Sequence, residues 1–442
     1  MMKYDYDVAF LGGGLNYAGA ITASKAGLKS VLIEQNLEHL GGTCLHNGCI
    51  PSKMYLYSAK TLLASKADYF SGELKLDMPK LEAKKEAMLN KASKSIAKQC
   101  DGVDLISGKG VLTAPHKIQV DDKTITAKHI IIGTGAKPFI PNGIEYDAKD
   151  IITSDDVLQL KTLPKSIAVY GDGAIGLEMA TFFASAGVKT TLISRHSSLL
   201  RKAHPTISKN IALQIDSIGI SFLTDKEIAS AKSSDKGVHI TFTDNSSEVV
   251  EKLLVATGRK PNTDIIQTKE IEVEPKGIKT DIHFETTLAN HYAVGDCNGK
   301  VQLAHSARAQ VLYVVKKILG KQVEVVDMES IVKFIHTLPC SYAQVGKSFA
   351  SLQDGTNYKE SVVMLKGMPF ASSHDASFGV MVVYADAQSF IVGAEIFAPN
   401  AEELISAVAM AIAGEMDAKT AQRTILAHPT FSESLEKAFY KL

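Results

Sequence analysis

The sequence predicts an α/β chain of several domains, because a strand, glycine turn, helix and strand follow one another twice in similar form. A second observation supports it: the last ~120 residues change to strands followed by helices, the pattern of a separate α+β segment. At 442 residues the chain exceeds what one core ordinarily organises. Its 45% apolar and 22% charged content is that of an ordinary globular protein.

The first unit opens with strand Val8–Leu11, passes through Gly12, Gly13 and Gly14 into a helix to about Ala26, and returns as strand Ser30–Ile33, ending at Glu34. Glycines let a backbone approach a pyrophosphate at the positive end of a helix, and Glu34, 20 positions past Gly14, can hold a ribose hydroxyl. A third fingerprint glycine would fall at position 17, which is Tyr17; a one-residue deletion accounts for the shift. The second unit runs from strand Ile167–Tyr170 through Gly171, Asp172, Gly173, Ala174, Ile175, Gly176, Leu177 and Glu178 to strand Thr190–Ile193. The two are repeats: Ala26–Glu34 matches Ala186–Ser194 position by position. Two such Rossmann-like units imply two dinucleotides.

The units differ at the end of their second strand. Glu34 in the first is replaced by Ser194 in the second, followed by Arg195, His196 and, six positions beyond Arg195, Arg201. A carboxylate there favours the free 2′-hydroxyl of NAD, whereas arginines accommodate the 2′-phosphate of NADP. The expectation is a preference for NADPH.

Between the units lies Gly41-Gly42-Thr43-Cys44-Leu45-His46-Asn47-Gly48-Cys49-Ile50-Pro51-Ser52-Lys53. Positions i and i+5 of a regular helix are about 8–9 Å apart at Cα, whereas a disulfide needs roughly 4.4–6.8 Å. Gly48 loosens the backbone before Cys49, and Pro51 disfavours a helical Ile50. The spacing suits a cysteine pair at an irregular helix start, which points to redox chemistry. No second Cys/His pair at zinc spacing accompanies it, so no metal is expected. Cys100, Cys297 and Cys340 have no partner suggested by spacing, the usage of a reducing, cytoplasmic compartment.

The cysteine segment closely resembles the redox motif of the FAD-dependent pyridine nucleotide–disulfide oxidoreductases, which include dihydrolipoamide dehydrogenase and glutathione reductase. Other motifs extend the likeness over nearly the whole chain. Ile130–Pro138 (with Thr134 and Gly135) and Leu253–Asn262 (with Gly258) resemble the family's two glycine-containing domain crossings; Tyr292-Ala293-Val294-Gly295-Asp296 resembles its second FAD motif; and Leu303-Ala304-His305 is similar to dihydrolipoamide dehydrogenase. Ala427-His428-Pro429-Thr430-Phe431-Ser432-Glu433 resembles the terminal motif in which histidine is the acid–base and glutamate orients it; read alone, Thr430-x-x-Glu433 is equally a capping box.

The resemblance implies FAD held by Gly12, Gly14, Glu34, Gly42, Thr43, Lys53, Thr134, Gly135, Asp296 and Ala304. It implies NAD(P)H, leaning to NADPH, held by Gly171, Gly173, Ile175, Gly176, Glu178, Arg195, Arg201 and Gly258. Catalytic roles fall to the Cys44–Cys49 disulfide, to His428 with Glu433, and to a Lys53–Glu178 ion pair beside the flavin. The implied domains are a FAD-binding part at 1–148, an NAD(P)-binding domain at 149–262, a second FAD-binding or central part at 263–324 and a dimerisation domain at 325–442. Within the last, strands Ser361–Leu365, Val380–Tyr384 and Phe390–Ile396 and helices Ala401–Ala413 and Phe431–Leu442 are expected.

The implied partner is a second copy that completes the active site with its His428, and the implied substrate is a small dithiol or disulfide. A dihydrolipoamide dehydrogenase-like activity is expected first. A glutathione reductase-like reductase of another small disulfide is the alternative, and a non-catalytic flavin-binding interaction module is the alternative of a different class. One local departure is His46-Asn47 where the family has Asn-Val. An imidazolium there would lower the Cys44 pKa, while a solvent-facing His46 would do nothing. Zero net charge gives no reason to expect nucleic acid or an anionic membrane, and no apolar run nears the ~20 residues of a spanning helix.

Overall fold

The computed structural model describes residues 3–353 and 357–442. The chain divides into two compact units, one of Met1–Pro51, Pro79–Phe139 and Arg259–Met328, the other of Ser52–Met78, Ile140–Gly258 and Glu329–Leu442.

The first unit is organised by a seven-stranded sheet. Its parallel part places Asp104–Ser107, Ser30–Glu34, Tyr6–Leu11, Lys123–Ile132 and His291–Ala293 side by side. Strand Lys123–Ile132 changes partner along its length: its first half closes an antiparallel meander with Lys117–Val120 and Gly110–Ala114, while its second half lies between two parallel neighbours. That second half is an unbroken apolar run because both faces are covered; Ile130, Ile131 and Ile132 are fully buried. Helices Asn16–Lys25 and Ala304–Ile318 cover one face. They approach so closely at Gly19 that a Cβ there would strike Val311.

The second unit contains a five-stranded parallel sheet, in the order Ile220–Leu223, Lys189–Ile193, Ser166–Tyr170, Lys252–Val255 and Ile151–Thr153. A three-stranded antiparallel sheet follows, from Ile228–Ser234 to Ser247–Val250. The C-terminal part is a five-stranded antiparallel sheet, ordered Lys333–Ile335, Ser341–Gly346, Ile391–Ala398, Val380–Asp386 and Tyr358–Met364, against which helix Ala401–Ala413 packs. Strand Tyr358–Met364 starts three residues before the expected Ser361, because an edge strand tolerates the exposed Lys359 and Glu360 that masked it in the sequence. The last helix is Glu433–Tyr440, shorter than the expected Phe431–Leu442, because Phe431 and Ser432 form the turn that leads into it. Among the described residues no helix is long and apolar enough to cross a membrane.

Two buried polar groups show how the packing is satisfied. Glu395, fully buried on a central strand, accepts from the His204 and Phe349 backbone amides at 2.9 and 2.7 Å and from the Tyr342 and Tyr384 hydroxyls, each at 3.1 Å. Four donors on two oxygens make the buried carboxylate tolerable. His291, also fully buried, donates from Nδ1 to the Ala289 carbonyl at 2.9 Å and accepts at Nε2 from the His116 amide at 3.1 Å. Only a neutral ring satisfies both contacts, and burial pushes its pKa down to about 4.

Because His291 is neutral in the fold and protonates near 6.5 when unfolded, the unfolded chain binds more protons between those pH values. Stability is therefore complete above about pH 6.5 and falls as pH drops toward 4, by on the order of 3 kcal/mol. The urea midpoint should decline steeply from pH 7 to 4.5, and by less in His291→Gln; equal slopes would contradict the assignment. Glu395→Ala leaves four donors without their acceptor and should lower stability by roughly 3–5 kcal/mol, read as a fall in thermal midpoint at pH 7.

Candidate active site

The first glycine turn owes its shape to a close approach of two strand ends. Gly12 donates to the Ile33 carbonyl at 2.9 Å with φ +94°, and a Cβ on it would collide with the Gly133 carbonyl oxygen. Gly42 has φ +62°, and its Cβ would lie 2.7 Å from Gly14 Cα. Only glycine fits either place, so the backbone there stays open to a ligand. Glu34 closes the far side, accepting from the Gly13 amide at 2.5 Å and the Asn36 amide at 3.3 Å. The result is a cavity of about 440 Å³ lined by Gly12, Gly14, Glu34, Gly42, Thr43, Thr134 and Gly135. This bare-backbone cradle with a terminal carboxylate fits an adenine dinucleotide.

Three of the expected FAD residues do not line that cavity. Lys53 belongs to the other unit. Asp296 lies in the turn Gly295–Asn298, where burial raises its pKa and Arg259 pulls it back. Ala304 opens helix Ala304–Ile318. The missing third glycine is accommodated by Asn16, whose buried amide donates to the Leu11 carbonyl at 3.1 Å while Gly133, lacking a Cβ, makes room for it.

Two residues outside the expected set hold the site in shape. Asn262 donates from Nδ2 to the Thr134 carbonyl at 3.0 Å, and its own carbonyl accepts from the Thr134 hydroxyl at 2.6 Å. Gln310 Oε1 accepts from the Gly295 amide at 2.8 Å and from Asn298 at 2.9 Å, fixing the turn that carries Asp296. Asn262 stands beside the second glycine crossing in the sequence; Gln310, buried one helix turn and a half past Ala304, has no local signature.

The cysteines bracket a break between two helices. Cys44 is half-buried in the short helix Gly42–His46, and Cys49, exposed, opens helix Cys49–Ala64. At the break a Cβ on Gly48 would sit 2.8 Å from the Thr43 carbonyl oxygen. Ile50 is helical, against expectation: Pro51 stands in the first turn, where its missing N–H has no helical acceptor to serve. His46 corrects a second expectation. It is half-buried, its Nε2 pairs with the Leu40 carbonyl at 3.1 Å, and its ring lies against His39. Burial lowers its pKa, so at neutral pH it is not the imidazolium that would acidify Cys44.

In the second unit, Gly171 repeats the Gly12 geometry: it donates to the Ile193 carbonyl at 2.9 Å with φ +124°, and a Cβ would collide with the Ala256 carbonyl oxygen. Gly173 caps helix Ala174–Ser185, Ile175 lies in its first turn, and Gly176 packs where a Cβ would strike the Gly171 carbonyl. Arg195 and Arg201 are exposed beyond the strand end, and Gly258 has φ +119° with open space around it. Glu178, almost buried, forms a 2.6 Å ion pair with Lys53 and also accepts the His336 amide at 3.0 Å.

At the C-terminus one carboxylate does two jobs. Glu433 Oε2 accepts from His428 Nδ1 at 2.8 Å, while Oε1 accepts from the Thr430 amide at 2.9 Å. The capping-box reading is half realised: Glu433 reaches back to the amide, but the Thr430 hydroxyl turns to the Ala427 carbonyl. His428 first and the Thr430 amide second hold the Glu433 pKa below the usual carboxylate value. The His428 side chain is 81% exposed in the single chain, so its second nitrogen faces outward from this contact.

The sequence matches the family described as pyridine nucleotide-disulphide oxidoreductase over residues 6–310, and that family's dimerisation domain over residues 331–439. The second match indicates a homodimer. The chain is 32% identical to the dihydrolipoyl dehydrogenase of Chlamydia muridarum, over 98% of this chain and 96% of that protein. It is 31% identical to the dihydrolipoyl dehydrogenase of Bacillus subtilis, over 99% and 98%, and 30% identical to leghemoglobin reductase of Glycine max, over 98% and 86%. Among solved structures, the HOCl-induced flavoprotein disulfide reductase RclA from Escherichia coli superposes with a TM-score of 0.89 at 25% identity, covering 98% of this chain and 99% of that one. The chain is an α/β flavoprotein disulfide oxidoreductase that uses FAD and a pyridine nucleotide, and it belongs to the pyridine nucleotide–disulphide oxidoreductase family.

Proposed function

We propose that this enzyme exchanges electrons between NADPH and a small dithiol–disulfide pair of the dihydrolipoamide type. The observation that carries the reading is the short helix Gly42–His46: it gives Gly42 and Thr43 to the dinucleotide cradle and, at the next position, Cys44. Redox thiols are thereby built into the wall of a nucleotide site. Residues 1–148 and 263–324 are assigned to FAD binding, 149–262 to NAD(P) binding and 325–442 to dimerisation, in a reducing, cytoplasmic setting.

FAD, when bound, supplies two-electron transfer between the nicotinamide and the cysteine pair. The Cys44 thiolate attacks one sulfur of the substrate disulfide, forming a mixed disulfide as the substrate S–S bond breaks. The departing thiolate takes a proton from the partner subunit's His428. Cys49, as thiolate, then attacks the Cys44 sulfur and leaves the Cys44–Cys49 disulfide, while the released second substrate thiolate takes its proton from water. Two thiols of the enzyme are oxidised and one substrate disulfide is reduced; dithiol oxidation is the same sequence reversed. Glu433 holds His428 through Nδ1, which leaves Nε2 to carry the proton. Lys53 and Glu178 are assigned the ion pair that the resemblance puts beside the flavin. The exposed Arg195 and Arg201 favour the 2′-phosphate.

Purified FAD-loaded protein should oxidise NADPH with lipoamide, and kcat/KM for NADPH should exceed that for NADH by at least about tenfold, the worth of one charge-assisted hydrogen bond. Comparable values would remove the NADPH preference. Absence of lipoamide turnover with rapid flavin reduction would move the machinery to another small disulfide. His428→Ala should lower disulfide turnover roughly 10²–10⁴-fold while NADPH still reduces the flavin in stopped flow. Glu433→Ala should lower it less, and Cys44→Ser should abolish it; undiminished turnover in Cys44→Ser would leave only a flavin-binding module.

A further inference from the structure

The two glycine turns make the same hydrogen bond with its ends exchanged. In the first, the middle residue of the turn is Gly13, whose amide donates to the strand-end carboxylate of Glu34 at 2.5 Å. In the second, the middle residue is Asp172, and the strand-end Ser194 hydroxyl donates to its Oδ2 at 3.0 Å. The second nucleotide unit therefore has a carboxylate after all, moved from the strand end onto the turn.

That carboxylate is the root of a chain of contacts leading to an arginine. His196 Nδ1 lies 3.1 Å from Asp172 Oδ2, the His196 amide donates to Ser194 Oγ at 3.0 Å, and Arg201 Nη2 lies 2.9 Å from His196 Nε2. A guanidinium can only donate, so Nε2 accepts and the ring proton must sit on Nδ1, pointing at Asp172. The second nitrogen's hydrogen bond sets the tautomer of an imidazole. Asp172 and His196 side chains are 19% and 23% exposed, so this part is shielded, while Arg201 itself is exposed. An exposed arginine ordinarily samples many rotamers; here its head is tied to a ring that a carboxylate holds in place.

We propose that Asp172 is a positioning residue for nucleotide selection: acting through His196, it presents Arg201 to the 2′-phosphate of NADPH. The inference rests on the NADPH reading above and deepens it. Among the described residues Asp172 Oδ1 makes no hydrogen bond, so the opposite role, direct acceptance from a 2′-hydroxyl with exclusion of the phosphate, is a definite rival.

The test is titration of the FAD-loaded dimer with adenosine 2′,5′-bisphosphate and, separately, 5′-AMP, by calorimetry. The wild type should bind the bisphosphate about tenfold or more tightly than 5′-AMP. Asp172→Ala should weaken the bisphosphate roughly five- to tenfold and 5′-AMP by less than about twofold. Asp172→Asn, whose amide oxygen still accepts from Nδ1–H, should recover part of the loss. His196→Ala should weaken the bisphosphate as much, and the double variant should be no worse than His196→Ala, because residues acting in one chain are not additive. In steady state the NADPH KM should rise in Asp172→Ala more than kcat falls. Bisphosphate binding that is unchanged or tighter in Asp172→Ala, with the wild type still selecting it over 5′-AMP, overturns the relay and leaves the NADPH reading standing. A wild type that binds both ligands equally removes the NADPH reading and the relay with it.

Discussion

The site depends on one repeated steric constraint: a glycine at the end of a parallel strand pressed against the carbonyl that ends the neighbouring strand. Gly12 meets Gly133 in this way, and Gly171 meets Ala256. The register is the same in both units. Each glycine donates to a carbonyl on one side, of Ile33 or Ile193 at 2.9 Å, and the chain on the other side donates back, from Gly133 to Leu11 or Ala256 to Tyr170 at 2.8 Å. Any side chain at either glycine would separate the strand ends and turn the helix start away from the ligand. The sheets, with their fully buried apolar runs, hold the strand ends rigid enough for the constraint to matter.

Around that frame, single groups serve two ends at once. The helix Gly42–His46 supplies cradle backbone and the Cys44 thiol from adjacent positions, so the cavity wall and this thiol cannot drift apart. Gly48 allows the chain to break immediately after this helix, close to the Thr43 carbonyl, so that Cys49 can begin another. Glu433 divides its two oxygens between His428 and the backbone of Thr430, which ties the orientation of the imidazole to the start of the last helix. Such sharing fixes geometry without adding residues.

Much of this was legible because it is local in the chain. The duplicated βαβ units, the cysteine spacing and the terminal His428–Glu433 motif each span few enough residues for pattern to imply geometry. What escaped is non-local. The second unit shows Ser194 where the first has Glu34, yet Asp172, 22 positions earlier in the chain, meets Ser194 in space. Asn16, seated against Ile131 and Gly133, and Gln310, supporting the Asp296 turn, likewise meet partners on separate elements. Pro51 misled for a different reason: its penalty depends on whether it falls in the first turn of a helix, and one residue of offset reverses the inference.

Histidine shows most clearly why residue type alone underdetermines chemistry. In His291 both nitrogens are committed, one donating and one accepting, and burial makes the neutral ring the only comfortable state. His46 is drawn in by its contact with Leu40, and burial likewise works against its protonation. His196 is held between a carboxylate and a guanidinium, which fixes its tautomer. His428 alone of these four combines a carboxylate on one nitrogen with a largely exposed ring, the combination that the proposed proton exchange with a departing thiolate needs. These four imidazoles have equal intrinsic chemistry. What each can do is decided by the group that faces its second nitrogen.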